Sequence, residues 1–246
     1  MSRIADLHVK IFTDGADYDS MIQMARNPVI KGFTTNPTLM RKAGVSDYET
    51  FARKVLDTIT DRPVSFEVLA DDFPSMAEQA RTISGWGRNA NVKIPVINTR
   101  GESSCELLRV LSSEGVSLNV TAVFTLDQIR SVAKVLDPAT PAIVSVFAGR
   151  IADSGRDPIP HMRAAKKILA SQSKAQLLWA STRELLNIFH AEQSGSDIIT
   201  VPNEFLTKLD LFGKDLVEYS RETVQLFYRD ASAAAYQITT TRVAAQ

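Results

Sequence analysis

One lysine interrupts an otherwise apolar run. Lys93 lies within the sequence Asn-Val-Lys-Ile-Pro-Val-Ile. Lysines are rarely buried without a partner, because the ammonium group loses its hydration. The same loss favours the neutral amine, which is the form that attacks a carbonyl carbon. A lysine that reaches the protein surface or pairs with a carboxylate produces the same pattern, so the run alone leaves these alternatives open.

Two carboxylates end similar apolar runs. Asp14 closes Val-Lys-Ile-Phe-Thr-Asp, and Glu67 follows Val-Ser-Phe. If both faced one cavity with Lys93, they would provide general acid and base groups. Each carboxylate could instead cap a helix or form a salt bridge with Lys93.

Further polar side chains end the remaining apolar runs. They include hydroxyl, amide and guanidinium groups: Thr34, Thr35, Asn36, Asn119, Thr121, Ser145, Ser181, Arg183 and Thr200. An arginine follows a serine at the end of two of these runs: Arg150 comes after Ser145, and Arg183 comes after Ser181. An arginine beside a serine hydroxyl can hold a phosphate. The three histidines and Cys105 are scattered without metal-ligand spacing, so we expect no metal site.

Eight apolar runs must position these groups. They are His8–Thr13, Ile30–Thr34, Val64–Val68, Asn91–Pro95, Ser117–Val120, Ala142–Phe147, Gln176–Ala180 and Asp197–Val201. They lack strict alternation, which is typical of parallel strands buried on both faces. Helical patterns separate them. The sequence therefore predicts an α/β fold, a single (β/α)8 TIM barrel with a C-terminal helical extension, whose strand ends form the active-site face. A doubly wound open sheet is the alternative.

The predicted domain covers residues 1–246. The barrel occupies about residues 8–210, a helix about 211–237, and a polar tail 238–246. The apolar face of the last helix includes Leu216, Val224 and Phe227. Such a face can cover its own barrel or pack on a neighbouring copy, and we expect a homo-oligomer.

The composition excludes several classes of protein. The chain has 246 residues, 28 Lys and Arg against 28 Asp and Glu, 44% hydrophobic residues and one Cys. A net charge of zero argues against a partner such as nucleic acid or an anionic membrane. A single Cys excludes an internal disulfide and suggests a reducing, cytoplasmic location. The first ten residues contain Arg3, Asp6 and Lys10 where a signal peptide would be apolar.

Taken together, the strand ends resemble the transaldolase family from Asp14 to about Leu206. Six elements carry the resemblance in family order: Thr-Thr-Asn-Pro-Thr-Leu at 34–39, Lys93-Ile-Pro, Asn119-Val-Thr-Ala-Val-Phe, Ser145-Val-Phe-Ala-Gly-Arg-Ile-Ala-Asp153, Ala180-Ser-Thr-Arg183 and Gly195-Ser-Asp-Ile-Ile-Thr200. Each is moderately specific, and the ordered set is highly specific.

The resemblance implies transfer of a dihydroxyacetone unit between sugar phosphates through a lysine Schiff base, without a cofactor. It implies Lys93, Glu67, Asp14 and Thr121 as catalytic residues. It further implies substrate-binding roles for Asn36, Asn119, Ser145, Phe147, Arg150, Ser181 and Arg183. The expected partners are fructose 6-phosphate and sedoheptulose 7-phosphate with their aldehyde products, as in the pentose phosphate pathway.

Three alternatives accompany this expectation. A related lyase releases free dihydroxyacetone, but its members typically carry Gln and Tyr at the positions of Glu67 and Phe147. The residues present here favour transfer. Departures from the family pattern at residues 98–101 and 201–203 leave open a transaldolase-like enzyme for a non-standard sugar in specialised metabolism. A catalytically silent barrel that binds sugar phosphates would be expected to lack the catalytic side chains, and all four are present.

Overall fold

Eight parallel strands close into a barrel in the computed structural model, which describes residues 6–172 and 174–239. The strands follow chain order around the barrel: β1 Lys10–Asp14, β2 Ile30–Thr34, β3 Val64–Glu67, β4 Ala90–Pro95, β5 Leu118–Val123, β6 Ala142–Val146, β7 Ala175–Trp179 and β8 Ile198–Pro202. The first strand pairs with the last, which completes the closure. The predicted TIM barrel is confirmed, and the open sheet is wrong.

Helices follow the strands and cover the outside of the barrel. They are α1 Tyr18–Ala25, α2 Pro37–Lys42, α3 Tyr48–Thr58, α4 Phe73–Ser84, α5 Cys105–Ser113, α6 Leu126–Val135, α7 Ala148–Asp153, α8 Pro158–Leu169, α9 Asn187–Ser194 and α10 Asn203–Leu206. Several begin at a side chain that accepts a backbone N–H. Asp47 and Asp72 do so at α3 and α4. Such caps fix where each helix leaves its loop, and therefore where the strand-end side chains lie.

The interior of the barrel is largely apolar. Phe12, Ile143, Leu178 and Ile198 form one buried cluster contributed by four strands. Gly32 makes room for it, because a Cβ at that position would come within 2.5 Å of the Phe12 ring. Apolar side chains from these strands thus fill part of the barrel interior.

The segment after Thr207 forms a separate compact unit. It contains a short 3-10 helix, Leu209–Leu211, and the helix α11, Leu216–Ala233. Asp215 caps α11, and no side chain of that helix is buried among the described residues. The helix begins later than the predicted residue 211, because Gly213 adopts a positive φ of 72° and interrupts the helical backbone. Residues 240–246 of the predicted polar tail lie outside the described residues.

In the described part of the chain, no helix is long and apolar enough to cross a membrane.

Candidate active site

A cavity of about 590 Å³ opens at the C-terminal ends of the strands. Ten of the eleven predicted site residues line it: Asp14, Asn36, Glu67, Lys93, Thr121, Ser145, Phe147, Arg150, Ser181 and Arg183. Because these residues come from seven different strand ends, their convergence follows from the closure of the barrel and not from local sequence.

Lys93 lines this cavity with only 6% of its surface exposed. Its Nζ donates to the backbone carbonyl of Thr35 at 2.7 Å and lies 3.0 Å from Glu67 Oε2. Glu67 and Lys93 are paired positions on β3 and β4, so adjacent strands bring the two side chains together. Lys93 is therefore a buried lysine with a carboxylate partner, held at the cavity and not at the protein surface.

Asp14 lines the same cavity at the end of β1. Its Oδ1 accepts a hydrogen bond from Thr34 Oγ1 at 2.8 Å, and Thr34 in turn lies 2.6 Å from Thr200 Oγ1. Burial raises the pKa of Asp14, while the nearby charge of Lys93 and the bond from Thr34 act in the opposite direction. A carboxylate with a raised pKa is a stronger base than one in water.

Thr121 belongs to an irregular part of β5. The pairing of β5 with β6 shifts between Val120 and Val123, and Ala122 adopts a positive φ of 55°. Both Thr121 and Ala122 line the cavity, so the irregularity places two consecutive residues there. Thr121 thus shares the cavity with Glu67 and Lys93.

Asn119 is the predicted site residue that does not line the cavity. It is fully buried, and its amide nitrogen donates to Ser65 Oγ at 3.0 Å. Its amide oxygen accepts from Ser145 Oγ at 2.7 Å, and Ser145 does reach the cavity. Asn119 therefore orients the Ser145 hydroxyl through this hydrogen bond without lining the cavity itself.

Asn36 begins α2 and faces the cavity at the same time. Its Oδ1 accepts the backbone N–H of Leu39 at 3.0 Å, which caps the helix. This bond fixes the amide plane and leaves the amide nitrogen as the donor for a ligand.

Two arginines approach the cavity from the ends of β6 and β7. The guanidinium of Arg150 lies 5.3 Å from the centre of the Phe147 ring, whose other neighbour is Phe124 at 5.6 Å. Arg183 forms an ion pair with Asp153 at 2.6 Å. This pairing holds the pKa of Asp153 below its ordinary value. Two cations and the Ser181 side chain in one cavity suit a phosphate.

The backbone around Ser181 is unusual. Ser181 has a φ of 65°, a left-handed conformation that is uncommon for residues other than glycine. A Cβ at Gly149 would lie 1.6 Å from the Ser181 carbonyl oxygen. Glycine at position 149 is therefore required for α7 to pack against this loop.

Sequence reasoning assigned no role to three residues that contribute to the site, although Asp153 ends one of the family elements. Lys42, in the last turn of α2, also lines the cavity. Tyr48 donates its hydroxyl to the Glu67 carbonyl at 2.7 Å, and burial raises its pKa. Asp153 holds Arg183. Lys42 lies six residues after Asn36, at the other end of α2. The sequence pattern predicts no short helix at this position, so it gives no reason to place Lys42 near the cavity.

Residues 98–101 and 201–203, where the sequence departs from the family pattern, do not line this cavity. Thr99 donates its backbone N–H to Asp71 at 2.8 Å, within a network of loop residues after β3 and β4. Asn203 accepts from Thr13 Oγ1 and donates to Ser20 Oγ at 2.5 Å. Both segments tie neighbouring loops together.

No cluster of three or more His, Cys, Asp or Glu suited to a metal ion occurs within residues 6–172 and 174–239.

Comparison with known proteins gives consistent results. The model of the family described as Transaldolase/Fructose-6-phosphate aldolase matches residues 11–245. A protein named "Probable transaldolase" from Dehalococcoides mccartyi is 34% identical over 202 residues, which cover 82% of this chain and 90% of that protein. One of the same name from Thermoplasma acidophilum is 36% identical over 204 residues, covering 82% and 87%.

A solved structure agrees in fold alone. A crystal structure of a proposed lyase/mutase from Burkholderia cenocepacia J2315 superimposes with a TM-score of 0.58 at 13% identity, covering 95% of this chain and 85% of that one.

Proposed function

Because the chain belongs to the transaldolase/fructose-6-phosphate aldolase family, we propose that it is a transaldolase that moves a dihydroxyacetone unit through a Schiff base on Lys93. The donor is a ketose phosphate, fructose 6-phosphate or sedoheptulose 7-phosphate, and the acceptor is an aldose phosphate. The observation that carries the proposal is the buried amine of Lys93 beside Glu67, in a cavity that also contains Asp14.

The first step joins Lys93 to the donor. Nζ attacks the C2 carbonyl, and loss of the C2 oxygen as water leaves an iminium ion. Protons must move to and from that oxygen, and Glu67 is within 3.0 Å of Nζ to exchange them. Thr121, in the same cavity, can hold the water that carries the proton between Glu67 and the substrate.

The second step breaks the C3–C4 bond. Asp14 takes the proton of the C4 hydroxyl, the electrons of the bond move toward the iminium nitrogen, and an aldehyde leaves. The remaining three carbons stay on Lys93 as an enamine. The iminium nitrogen is itself the electron sink, so this chemistry needs no metal or coenzyme. Addition of the enamine to the acceptor aldehyde reverses these steps, and hydrolysis then frees Lys93.

The remaining lining residues suit the rest of the substrate. Asn36 and Ser145 offer hydrogen-bonding groups to the hydroxyls of the ketol unit, and Asn119 holds Ser145 in place. Arg150, Ser181 and Arg183 bind the phosphate, with the ring of Phe147 beneath Arg150. Lys42, which follows β2, adds a cation on the far side of the barrel from β6.

Borohydride trapping tests the proposal. The protein is reduced in the presence of fructose 6-phosphate, and its peptides are mapped by mass. We expect a dihydroxyacetone adduct on Lys93 alone, with Lys42 unmodified in the same cavity. A Lys93→Arg variant, which keeps the charge beside Glu67, is the matched control. An adduct elsewhere, or none, would end the Schiff-base proposal.

The lyase alternative is separated by an acceptor experiment. A transaldolase releases little dihydroxyacetone until an acceptor such as erythrose 4-phosphate is present. Release of free dihydroxyacetone without an acceptor, at the rate of transfer with one, would assign the chain to the lyases.

A further inference from the structure

Arg183 makes four hydrogen bonds to neighbouring residues. Its Nε lies 3.0 Å from both carboxylate oxygens of Asp153, and its Nη2 donates to Asp153 Oδ2 at 2.6 Å. Its Nη1 donates to the Ser181 carbonyl at 3.1 Å. A guanidinium has five N–H groups in one plane. These contacts engage three of them, and one N–H remains on each terminal nitrogen.

The partners of Arg183 are themselves fixed. Asp153 ends α7, the helix that begins after β6 and also carries Arg150. The Ser181 carbonyl is held against Gly149 of the same helix, and Gly149 donates its backbone N–H to Ala180 at 3.2 Å. Helix α7 and the loop after β7 are therefore one packed unit, and the guanidinium plane is set by both.

Asp153 does not line the cavity, whereas Arg150, Ser181 and Arg183 do. We propose that Asp153 is a positioning residue for phosphate recognition: it turns Arg183 so that one N–H on each terminal nitrogen faces the substrate's phosphate. This inference rests on the proposed phosphate-binding role of Arg183. Two donors on neighbouring nitrogens match two oxygens of one phosphate group.

Electrostatics alone predicts the opposite effect. Asp153 is anionic and lies close to the place where a dianionic phosphate would bind, so its removal would strengthen binding if charge repulsion decided the outcome. Positioning predicts that its removal weakens binding. The sign of the change therefore separates the two roles.

The experiment measures donor kinetics with an unphosphorylated aldehyde acceptor, so that only the donor carries a phosphate. Fructose 6-phosphate and fructose are compared in the full-length protein and its Asp153→Asn and Asp153→Ala variants. We expect KM for fructose 6-phosphate to rise about tenfold in Asp153→Ala and less in Asp153→Asn, which keeps one acceptor oxygen. The rate with fructose should be unchanged in both.

Asp127→Ala is the matched control. It breaks an ion pair of equal length with Arg130 on α6, at 2.6 Å, away from the cavity. It should leave both donors unaffected, and its unfolding temperature shows what loss of an exposed ion pair does to the fold.

A double variant separates this inference from the proposed function. If Asp153 acts through Arg183, Asp153→Ala should change nothing further in an Arg183→Ala background. Equal effects in both backgrounds, or a lower KM in Asp153→Ala, would overturn the positioning role. If Arg183→Ala itself left KM for fructose 6-phosphate unchanged, the assigned phosphate site would fail and the positioning role with it. A strong Arg183→Ala effect beside an inert Asp153→Ala would overturn the positioning role alone.

Discussion

Lys93 Nζ and Glu67 Oε2 lie 3.0 Å apart on paired positions of neighbouring strands. The carboxylate is thus the closest acid or base to the amine that would form the imine. The Glu67 backbone is fixed in turn, because its carbonyl accepts the Tyr48 hydroxyl at 2.7 Å. In the proposed mechanism, this pair places the group that exchanges protons directly beside the nucleophile.

Glu67→Gln should slow imine formation without preventing it. Gln keeps the size and polarity of the side chain but cannot exchange the proton, and loss of a general acid or base costs about 10²–10⁴-fold in rate. The measurement is the rate at which borohydride traps the Lys93 adduct. Glu49→Gln, an exposed glutamate on α3, is the control. An unchanged trapping rate would assign the proton transfer to another group.

Asp14→Asn should stop the reaction after imine formation. Without a base for the C4 hydroxyl the C3–C4 bond stays intact, so reduction with fructose 6-phosphate should leave the whole hexose phosphate on Lys93. Mass mapping distinguishes that adduct from the three-carbon adduct of the unmodified protein. A three-carbon adduct in Asp14→Asn, formed at the usual rate, would show that Asp14 is not the base.

The same substitution should stabilise the fold at neutral pH. Burial raises the pKa of Asp14 above its ordinary 3.8, so the folded protein binds this proton more tightly than the unfolded chain does. Stability is therefore lost as pH rises from 3.8 through the raised pKa, where the buried carboxyl ionises. Asparagine does not ionise, so the Asp14→Asn variant does not lose this stability as the pH rises. We expect a higher Tm for Asp14→Asn at pH 7, by about 2–4 °C per kcal/mol, and no gain below the ordinary pKa.

The Tm measurement has a surface control. Asp57→Asn changes an exposed aspartate on α3 and should alter stability by less than about 0.5 kcal/mol. If Asp14→Asn had a lower Tm than the unmodified protein at pH 7, the carboxylate would be a net stabilising group.

Gly149→Ala should destabilise the protein although alanine favours helices. In an unconstrained helix, Gly→Ala stabilises by about 0.5–1 kcal/mol. Here the added Cβ would lie 1.6 Å from the Ser181 carbonyl oxygen, so the loop must move. We expect a lower Tm and a higher KM for fructose 6-phosphate. Gly85→Ala, whose Cβ would meet its nearest atom at 3.4 Å, should be tolerated.

The expected homo-oligomer is open to direct measurement. Val217, Val224, Phe227 and Tyr228 on α11 are each more than 60% exposed. We expect sedimentation at a mass above 27.1 kDa. Val224→Asp with Phe227→Asp should lower the sedimenting mass, because charged side chains oppose burial of this face. If the unsubstituted protein sedimented with the mass of a single chain, the expectation of a homo-oligomer would be contradicted.

The strands could be predicted because burial on both faces leaves continuous apolar runs. The predicted run Ile30–Thr34 coincides with β2, and the others begin or end within three residues of the observed strands. The site residues that end these runs were found for the same reason. Asp14 and Lys93 are conspicuous as charged groups beside apolar sequence.

Lys42 leaves no such signal, and Asp153 stands out in the sequence only as the last residue of the family element that begins at Ser145. Lys42 and Asp153 are exposed charged residues on short helices, where charge is ordinary. Only the closed barrel brings Lys42 to the cavity and Asp153 to Arg183. Asn119 looks like a site residue in sequence, and its burial beneath Ser145 depends on the pairing of three strands.

The buried chain from Ser65 through Asn119 to Ser145 constrains how this cavity could be redesigned. If Ser145 contacts the ketol unit as proposed, it is the position to change in order to admit a different one. Its hydroxyl also satisfies the Asn119 oxygen, so Ser145→Ala would enlarge the cavity and leave a buried acceptor unpaired, at a cost of about 1–3 kcal/mol. Substrate range and barrel stability are thereby linked at this position, and a broadened variant would need a compensating change at Asn119 or Ser65.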